Sequence, residues 1–253
     1  MAVPRLVGLE HGPGRLVLVR HGESVGNLAD AQARERGAAR LDLDARDADV
    51  ELSQTGRRQA DALGAWMAER DNLPDLVLSS PYARAHETAR RAVAGTALEI
   101  TLDERLRERD LGLFDGLTGA GIREEYAHEA ERRKRVGKFY YSPPSGESWA
   151  DVVLRVRSLL ADLRHGFDGA RVWMFTHQAV IMTFRYVLEG LTEQELLEID
   201  KTSTIPNASL TAYRRGDGGL ELESVADTSV VDAEESTDVT HEPSDNEKAP
   251  TDD

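Results

Sequence analysis

The chain contains four short runs rich in apolar and β-branched residues, and longer segments with apolar positions at helical spacing separate them. Each short run predicts a buried strand; they are Leu16–Val19, Asp75–Ser79, Leu98–Leu102 and Arg171–Phe175. Leu210–Tyr213 and Leu220–Val225 predict two closing strands around a glycine-rich turn. Strands that alternate with helices predict an α/β fold with a mostly parallel sheet covered on both faces.

Helix boundaries are indicated by capping residues. Ser53 precedes an apolar stripe over residues 56–70, and Ser148 with Asp151 forms a capping-box pattern before a long amphipathic helix. Ser80 as cap and Pro81 in the first turn predict a helix that runs to about residue 93. Further helices are predicted over 179–188 and 193–199. The polar, alanine-rich residues 25–50 have no clear period and predict a loop with at most one helix.

Composition limits the classes of function. The 253 residues contain no cysteine, which excludes disulfides, thiolate chemistry and cysteine-bound zinc. The net charge of −15, without a broad basic face, argues against nucleic acid as a partner. No secretion signal and no apolar run of roughly 18 residues is evident, so we expect a soluble, cytoplasmic protein without membrane contact. The sequence does not indicate an oligomeric state.

The acidic charge is concentrated at the end of the chain. Residues 227–253 carry ten acidic residues and one lysine, with only scattered valines as large apolar residues. Such a segment buries too little surface to offset its ordering entropy. The predicted organisation is therefore a catalytic domain over residues 1–226 and a disordered acidic tail over 227–253.

Candidate chemistry gathers at the carboxyl ends of the predicted strands, the edge where open α/β sheets bind ligands. Arg20 and His21 end the first strand, His177 follows the fourth, and Arg84 lies one turn into the helix after the second. Glu108 lies in a loop after the third strand. Arginine donates in the planar, bidentate manner that phosphate oxygens accept. These residues predict a phosphoryl-transfer site.

We assign His21 as the nucleophile, because a neutral imidazole attacks phosphorus once one ring nitrogen donates to a backbone carbonyl. Arg20, Arg84 and His177 are expected to bind the phosphate oxygens. Asn27 adds an amide donor in this interpretation, although a turn or helix cap would use the same side chain. Glu108 would protonate the leaving alkoxide and then deprotonate the attacking water. Because Glu108 lies among three arginines, a solvated ion-pair cluster stays open, with Glu104 and Asp110 as alternative acids. Neither a metal nor a cofactor is required.

Four motifs in order resemble the histidine phosphatase superfamily, also called the phosphoglycerate mutase-like family. They are Leu18–Ser24 with Asn27, Ser79–Ala85 with Thr88 and Ala89, Leu106–Arg109 with Gly112, and Thr176 with His177. The resemblance implies a three-layer α/β/α fold, a phosphorylated His21, Glu108 as acid and base, and Arg20, Arg84, Asn27 and His177 as the phosphate pocket. Two features depart from the family pattern. Gln178 stands where the family usually has glycine, and residues 28–50 are longer than in compact members.

The leading hypothesis is a phosphomonoesterase that hydrolyses a small phosphorylated metabolite through phosphohistidine. A phosphoglycerate mutase would use the same intermediate but return the phosphoryl group to the substrate. A phosphate-ligand binder without activity is the third possibility, and loss of hydrolysis in His21→Ala would exclude it. The basic cluster Arg132–Arg135 is either a solvated helical face or a site for a second anionic group of the substrate.

Overall fold

A six-stranded sheet forms the centre of the protein. The structure, a computed structural model, describes residues 11–69 and 73–231. The strands are β1 (Arg15–Arg20), β2 (Leu76–Ser79), β3 (Ile100–Leu102), β4 (Arg171–Thr176), β5 (Leu210–Gly216) and β6 (Gly219–Asp227). Their order is β3-β2-β4-β1-β5-β6. β1 to β4 are parallel, while β5 and β6 extend the sheet in antiparallel register, which confirms the mostly parallel prediction.

The described part of the chain contains eight α-helices. They are α1 (Val25–Glu35), α2 (Gln54–Glu69), α3 (Ala83–Ala92), α4 (Gly119–Glu125), α5 (Ala127–Val136), α6 (Trp149–Gly166), α7 (Gln178–Glu189) and α8 (Glu193–Thr202). Short 3₁₀ helices lie at Asp47–Asp49, Glu104–Leu106 and Gly112–Phe114. None of the helices in the described ranges is long and apolar enough to cross a membrane.

β1 explains why the chain folds into three layers. Leu16 and Leu18 are fully buried in an apolar cluster with α6 and α7, whereas Val17 and Val19 are buried in a second cluster with α2 and α3. Successive strand residues point to opposite faces, so a strand covered on both faces needs an uninterrupted apolar run. The predicted α/β/α sandwich is confirmed.

α1 is the one helix that the sequence allowed within residues 25–50, and Ser24 and Asn27 build a reciprocal cap at its start. One local prediction needs correction. α3 begins at Ala83, with Tyr82 at its N-cap and no capping side chain, rather than at Ser80. The Ser80 hydroxyl accepts from the backbone N–H of Tyr82 in a turn and also contacts His177, so this serine serves the site instead of the helix.

The folded region continues past the predicted boundary at residue 226. β6 ends at Asp227, and both Val230 and Val231 are buried. Val230 packs into the cluster beneath α2 and α3. Isolated valines in an acidic segment give no periodic signal, so the sequence placed the boundary too early. The remainder of the predicted acidic tail, 232–253, lies outside the described residues.

Candidate active site

The parallel pairing of β1 with β4 brings two histidines together. Arg20 lies opposite Thr176, so His21 and His177 follow neighbouring strand ends. The backbone N–H of His21 donates to the carbonyl of Thr176 at 3.0 Å, which extends the ladder by one residue. The two imidazole centroids lie 5.1 Å apart, and both side chains are fully buried.

The tautomer of His21 follows from its neighbours. Nδ1 lies 2.7 Å from the carbonyl oxygen of Gly22. Since a carbonyl oxygen only accepts, Nδ1 carries the proton and Nε2 carries the lone pair. Nε2 in turn accepts from Nε of Arg84 at 3.3 Å. The unprotonated ring nitrogen therefore faces a guanidinium.

The turn after His21 depends on two glycines in close contact. A Cβ on Gly22 would lie 2.5 Å from the carbonyl oxygen of Gly56, which leaves no room for a side chain. The N–H of Gly22 donates to Thr88 Oγ1 at 3.0 Å, and that hydroxyl donates to the carbonyl of Arg84 at 2.7 Å. The backbone of the turn is thus tied to α3, the helix that carries Arg84.

Arg84 is buried, and an acidic residue contacts it. Its Nη1 lies 2.9 Å from Oδ1 of Asp47 and donates to the Asp47 carbonyl at 2.6 Å. The Tyr82 ring covers the guanidinium, with 5.3 Å between Cζ and the ring centroid. Burial, and then the charges of Asp47 and Asp110, raise the pKa of the Tyr82 phenol to about 12. Asp47 thus occupies one edge of the guanidinium predicted to bind phosphate.

His177 is held neutral by its surroundings. Burial lowers the pKa of its imidazole well below the usual value, and the charge of Arg84 lowers it further, followed by His21, Arg155 and Arg20. Nε2 shares a hydrogen bond of 2.9 Å with Ser80 Oγ. A neutral ring at this position still offers one N–H to an anion without adding a buried charge.

This shift predicts that stability falls in acid. Below about pH 6.5 the unfolded imidazole takes up a proton that the folded ring refuses, so His177 lowers the free energy of unfolding by up to about 1.4 kcal/mol per pH unit. Chemical denaturation of the wild type and His177→Gln between about pH 7.5 and about pH 5.5 measures this difference. We expect the wild type to lose more stability than the glutamine variant over this range. The exposed His165→Gln serves as control, and parallel curves for wild type and His177→Gln would contradict the assignment.

Glu108 is buried, and backbone groups hold both of its oxygens. Oε1 accepts from the N–H of Arg109 at 2.9 Å, and Oε2 accepts from the N–H of Ala179 in the first turn of α7 at 3.4 Å. Arg155 supports the loop, because it donates to the carbonyls of Arg105 at 2.6 Å and Glu108 at 3.2 Å. Glu108 therefore lies at the positive end of the α7 helix dipole, and its donor Ala179 follows His177 by two positions.

The other acids and arginines of this loop have different partners. Glu104 is exposed, and Asp110 accepts from the N–H of Gly112 at 2.7 Å. Arg105 pairs with Asp103 and Asp162, and Arg107 pairs with Glu147. Two of the three arginines around Glu108, Arg105 and Arg107, thus pair with other carboxylates.

Asn27 has a structural role and also faces the site. Its Oδ1 accepts from the N–H of Ser24 at 3.0 Å and from Nδ2 of Asn207 at 3.3 Å. Because a backbone N–H only donates, the contacting atom must be the oxygen, and the amide Nδ2 becomes the donor end. Arg20 is fully buried at the end of β1 and donates to the carbonyl of Ile205.

Sequence and structure comparisons identify the family of the chain. The profile of the histidine phosphatase superfamily (branch 1) matches residues 16–228. The chain belongs to this superfamily. A bifunctional protein of Mycobacterium tuberculosis is 33% identical over 193 residues, which cover 74% of this chain and 48% of that protein. The chain thus spans about half the length of the curated relatives that head the comparison.

Both phosphatases and mutases are among the relatives of this superfamily member. A 2,3-bisphosphoglycerate-dependent phosphoglycerate mutase of Sinorhizobium fredii is 30% identical over 76% of this chain and 88% of its own. The mycobacterial glucosyl-3-phosphoglycerate phosphatase, solved in complex with VO3, superposes with a TM-score of 0.68 at 29% identity, covering 85% of this chain and 99% of its own. These relatives support a phosphoryl-transfer enzyme.

In this superfamily member a cavity of about 640 Å³ opens beside Arg84. Asn27, Asp47, Arg84 and Glu108 line it, whereas His21 lies beneath the guanidinium of Arg84. A volume of this size accommodates an organic group as well as a phosphate. The cluster Arg132–Arg135 is not part of the lining within the described ranges; Arg132 and Lys134 pair with glutamates of their own helix, α5.

Several residues of the site were missed by sequence reasoning. Asp47, Ser80 and Tyr82 contact Arg84 or His177, while Asn207 donates to the carbonyl of His21 at 3.1 Å. Ser80 was misassigned as a helix cap. The density of aspartates in residues 42–49 is the only sequence signal that pointed to Asp47.

Proposed function

We propose that the protein is a phosphomonoesterase that transfers the phosphoryl group of a small metabolite to Nε2 of His21 and then to water. The observation that supports this most directly is the hydrogen bond from Nδ1 of His21 to the Gly22 carbonyl. It leaves the lone pair of Nε2 directed toward Arg84, beside a cavity that Glu108 also lines. Nucleophile, cation and acid thus converge on one cleft.

In the first step, the Nε2 lone pair of His21 attacks phosphorus and the ester P–O bond breaks. Glu108, protonated at the start, gives its proton to the departing alkoxide. Arg20, Arg84 and the N–H of His177 stabilise charge on the phosphoryl oxygens. The amide Nδ2 of Asn27 adds a neutral donor. Because His21 Nε2 contacts Arg84 here, the phosphoryl group must enter between these two side chains.

In the second step, the Glu108 carboxylate takes a proton from water while the water oxygen attacks phosphorus. The P–N bond breaks, its electron pair returns to Nε2, and inorganic phosphate leaves. The geometry supports one residue in both roles, because Glu108 is fixed by two backbone donors and needs no movement between the steps. The enzyme returns to its starting protonation state.

Trapping the intermediate tests the proposal. The protein is mixed with 4-nitrophenyl phosphate and quenched in base, since a phosphohistidine is stable in base and labile in acid. Peptide mass spectrometry is expected to locate the phosphoryl group on His21. Phosphate release without a labelled His21, or a label on another histidine, would refute the assignment. The exposed His165 is an internal control for adventitious labelling.

Phosphoglycerate mutase is the second candidate, favoured by the relative that is 30% identical over three quarters of the chain. A mutase protects its phosphoenzyme from water until the substrate has turned over. Incubation with 3-phosphoglycerate and a trace of bisphosphoglycerate separates the two activities. We expect free phosphate; 2-phosphoglycerate without free phosphate would reverse the order of the candidates.

Removing the charge of Asp47 is expected to tighten phosphate binding. The carboxylate neutralises the Arg84 guanidinium at 2.9 Å and repels an incoming dianion. For Asp47→Asn we expect the inhibition constant for inorganic phosphate to fall by about five- to tenfold, roughly the 1–1.4 kcal/mol of a partly exposed ion pair. Asp44→Asn is the matched control, because Asp44 is an exposed aspartate of the same segment that does not line the cavity. A weaker affinity in Asp47→Asn would instead show that the carboxylate positions Arg84 for phosphate.

A further inference from the structure

We infer that the alcohol part of the substrate is uncharged and carries hydroxyl groups, which the side chains of Gln178 and Trp149 recognise. This inference rests on the proposed function, which assigns the phosphate to Arg84 and His21. It extends that function because it names the class of ester. The evidence is two buried, unsatisfied polar atoms on side chains that line the cavity, together with the pairing of the charges around it.

Gln178 provides an acceptor without a donor. The side chain is 6% exposed and lines the cavity, and its Oε1 has no hydrogen-bond partner within residues 11–69 and 73–231. It lies between His177 and Ala179, whose N–H binds Glu108. A buried carbonyl oxygen without a donor is costly, so its presence beside the reacting groups indicates a partner supplied by a ligand.

Trp149 provides the complementary donor. It is 3% exposed at the start of α6 and lines the same cavity, and its indole Nε1 has no acceptor in the described part of the chain. The guanidinium of Arg109 covers the ring, with 5.6 Å from Cζ to the ring centroid, and donates to the Glu147 carbonyl. The ring is therefore fixed while its N–H stays unsatisfied.

One kind of chemical group can complete the hydrogen bonds of both side chains. A hydroxyl donates one hydrogen bond and accepts others, so it can serve the amide oxygen of Gln178 and the N–H of Trp149. A carboxylate or a second phosphate only accepts and would leave Gln178 unsatisfied. An alcohol with at least one free hydroxyl besides the ester oxygen therefore fits this wall.

The charged residues that line the cavity also favour an uncharged alcohol part. The cations Arg40, Arg46 and Arg84 are already paired with Glu125, Asp49 and Asp47. Asp110 and Asp115 also line the cavity, and neither forms a salt bridge within the described ranges. Burial, and then the charge of Asp47, raise the pKa of the Asp115 carboxyl, which indicates that acids crowd this part of the cavity. Arg109 lines the cavity too, but its Nε donates to the Glu147 carbonyl and its guanidinium covers the Trp149 ring. An anionic group beyond the ester phosphate would therefore meet carboxylates, while each cation in the described lining already has a partner.

A matched pair of esters tests the inference. Glycerol 3-phosphate and 3-phosphoglycerate differ by a hydroxymethyl group in place of a carboxylate. We expect kcat/KM to be at least about tenfold higher for glycerol 3-phosphate. Equal values, or a preference for 3-phosphoglycerate, would overturn the inference.

Calorimetric titration of His21→Ala with both esters measures the same preference without turnover. Selective binding without hydrolysis would refute the proposed function alone, and hydrolysis of 4-nitrophenyl phosphate without this selectivity would refute the inference alone.

Side-chain substitutions locate the effect. In Gln178→Ala and in Trp149→Phe we expect the ratio of kcat/KM for glycerol 3-phosphate over 4-nitrophenyl phosphate to fall about tenfold, because the aryl ester offers no hydroxyl. A purely structural role would lower both rates together and leave the ratio constant.

Asp115→Asn is expected to raise kcat/KM for 3-phosphoglycerate several-fold. Asp217→Asn, at an exposed position in the turn between β5 and β6, is the charge-matched control and should leave kcat/KM unchanged for both substrates.

Discussion

Alanine at position 21 is expected to lower kcat for phosphate-ester hydrolysis by about 10⁴-fold or more, since it removes the atom that receives the phosphoryl group. The remaining cations still bind phosphate, so KM should change far less than kcat. Steady-state hydrolysis of 4-nitrophenyl phosphate measures both constants. Hydrolysis at near wild-type rate in His21→Ala would disprove covalent catalysis at this ring.

Two controls separate chemistry from folding. His21 is fully buried, so truncation leaves a cavity and lowers stability to some degree. His21→Asn fills more of that space and should be equally inactive. Denaturation midpoints of both variants, and their affinity for inorganic phosphate, show whether the site has kept its shape. His165→Ala, on the exposed side of α6, should retain full activity.

The sheet was predictable because its signal is local. Leu16 to Val19 form an uninterrupted apolar run, and only a strand covered on both faces requires such a run. Because parallel strands end at one edge, His21 and His177 could be expected on the same side of the sheet, and the observed pairing of Arg20 with Thr176 makes them neighbours. The bounds of α1 were harder to predict, since its alanines and charged residues give no wide apolar stripe and Asn27 was interpreted as a phosphate donor or as a cap.

The contacts that adjust the site lie far apart in sequence. Asp47 reaches Arg84 from a 3₁₀ helix 37 residues earlier, and Arg155 supports Glu108 from α6, 47 residues later. No periodicity encodes such pairs, because they depend on how loops lie over a finished sheet. The type of chemistry could therefore be predicted from the residues at strand ends. The structure was needed to find Asp47, which competes with phosphate for Arg84, and Gln178, which is proposed to recognise the substrate.

Glutamine at position 108 is expected to lower kcat for an alkyl ester such as glycerol 3-phosphate by about 10³-fold, within the usual range for loss of a general acid. With 4-nitrophenyl phosphate the first step should be affected much less, because nitrophenolate leaves without protonation. The second step still needs a base, so the phosphoenzyme accumulates. We therefore expect a burst of nitrophenolate close to the enzyme concentration, followed by a slow steady state.

The alternative acids of the loop make the test specific. Glu104→Gln changes an exposed carboxylate on the neighbouring 3₁₀ helix and should leave the rate unchanged. Asp110 lines the cavity but accepts from the N–H of Gly112, so Asp110→Asn should alter KM more than the burst. If Asp110→Asn produced the burst and Glu108→Gln did not, the proton would travel through Asp110. We expect the burst in Glu108→Gln, because two backbone donors hold the Glu108 carboxylate in one place through both steps.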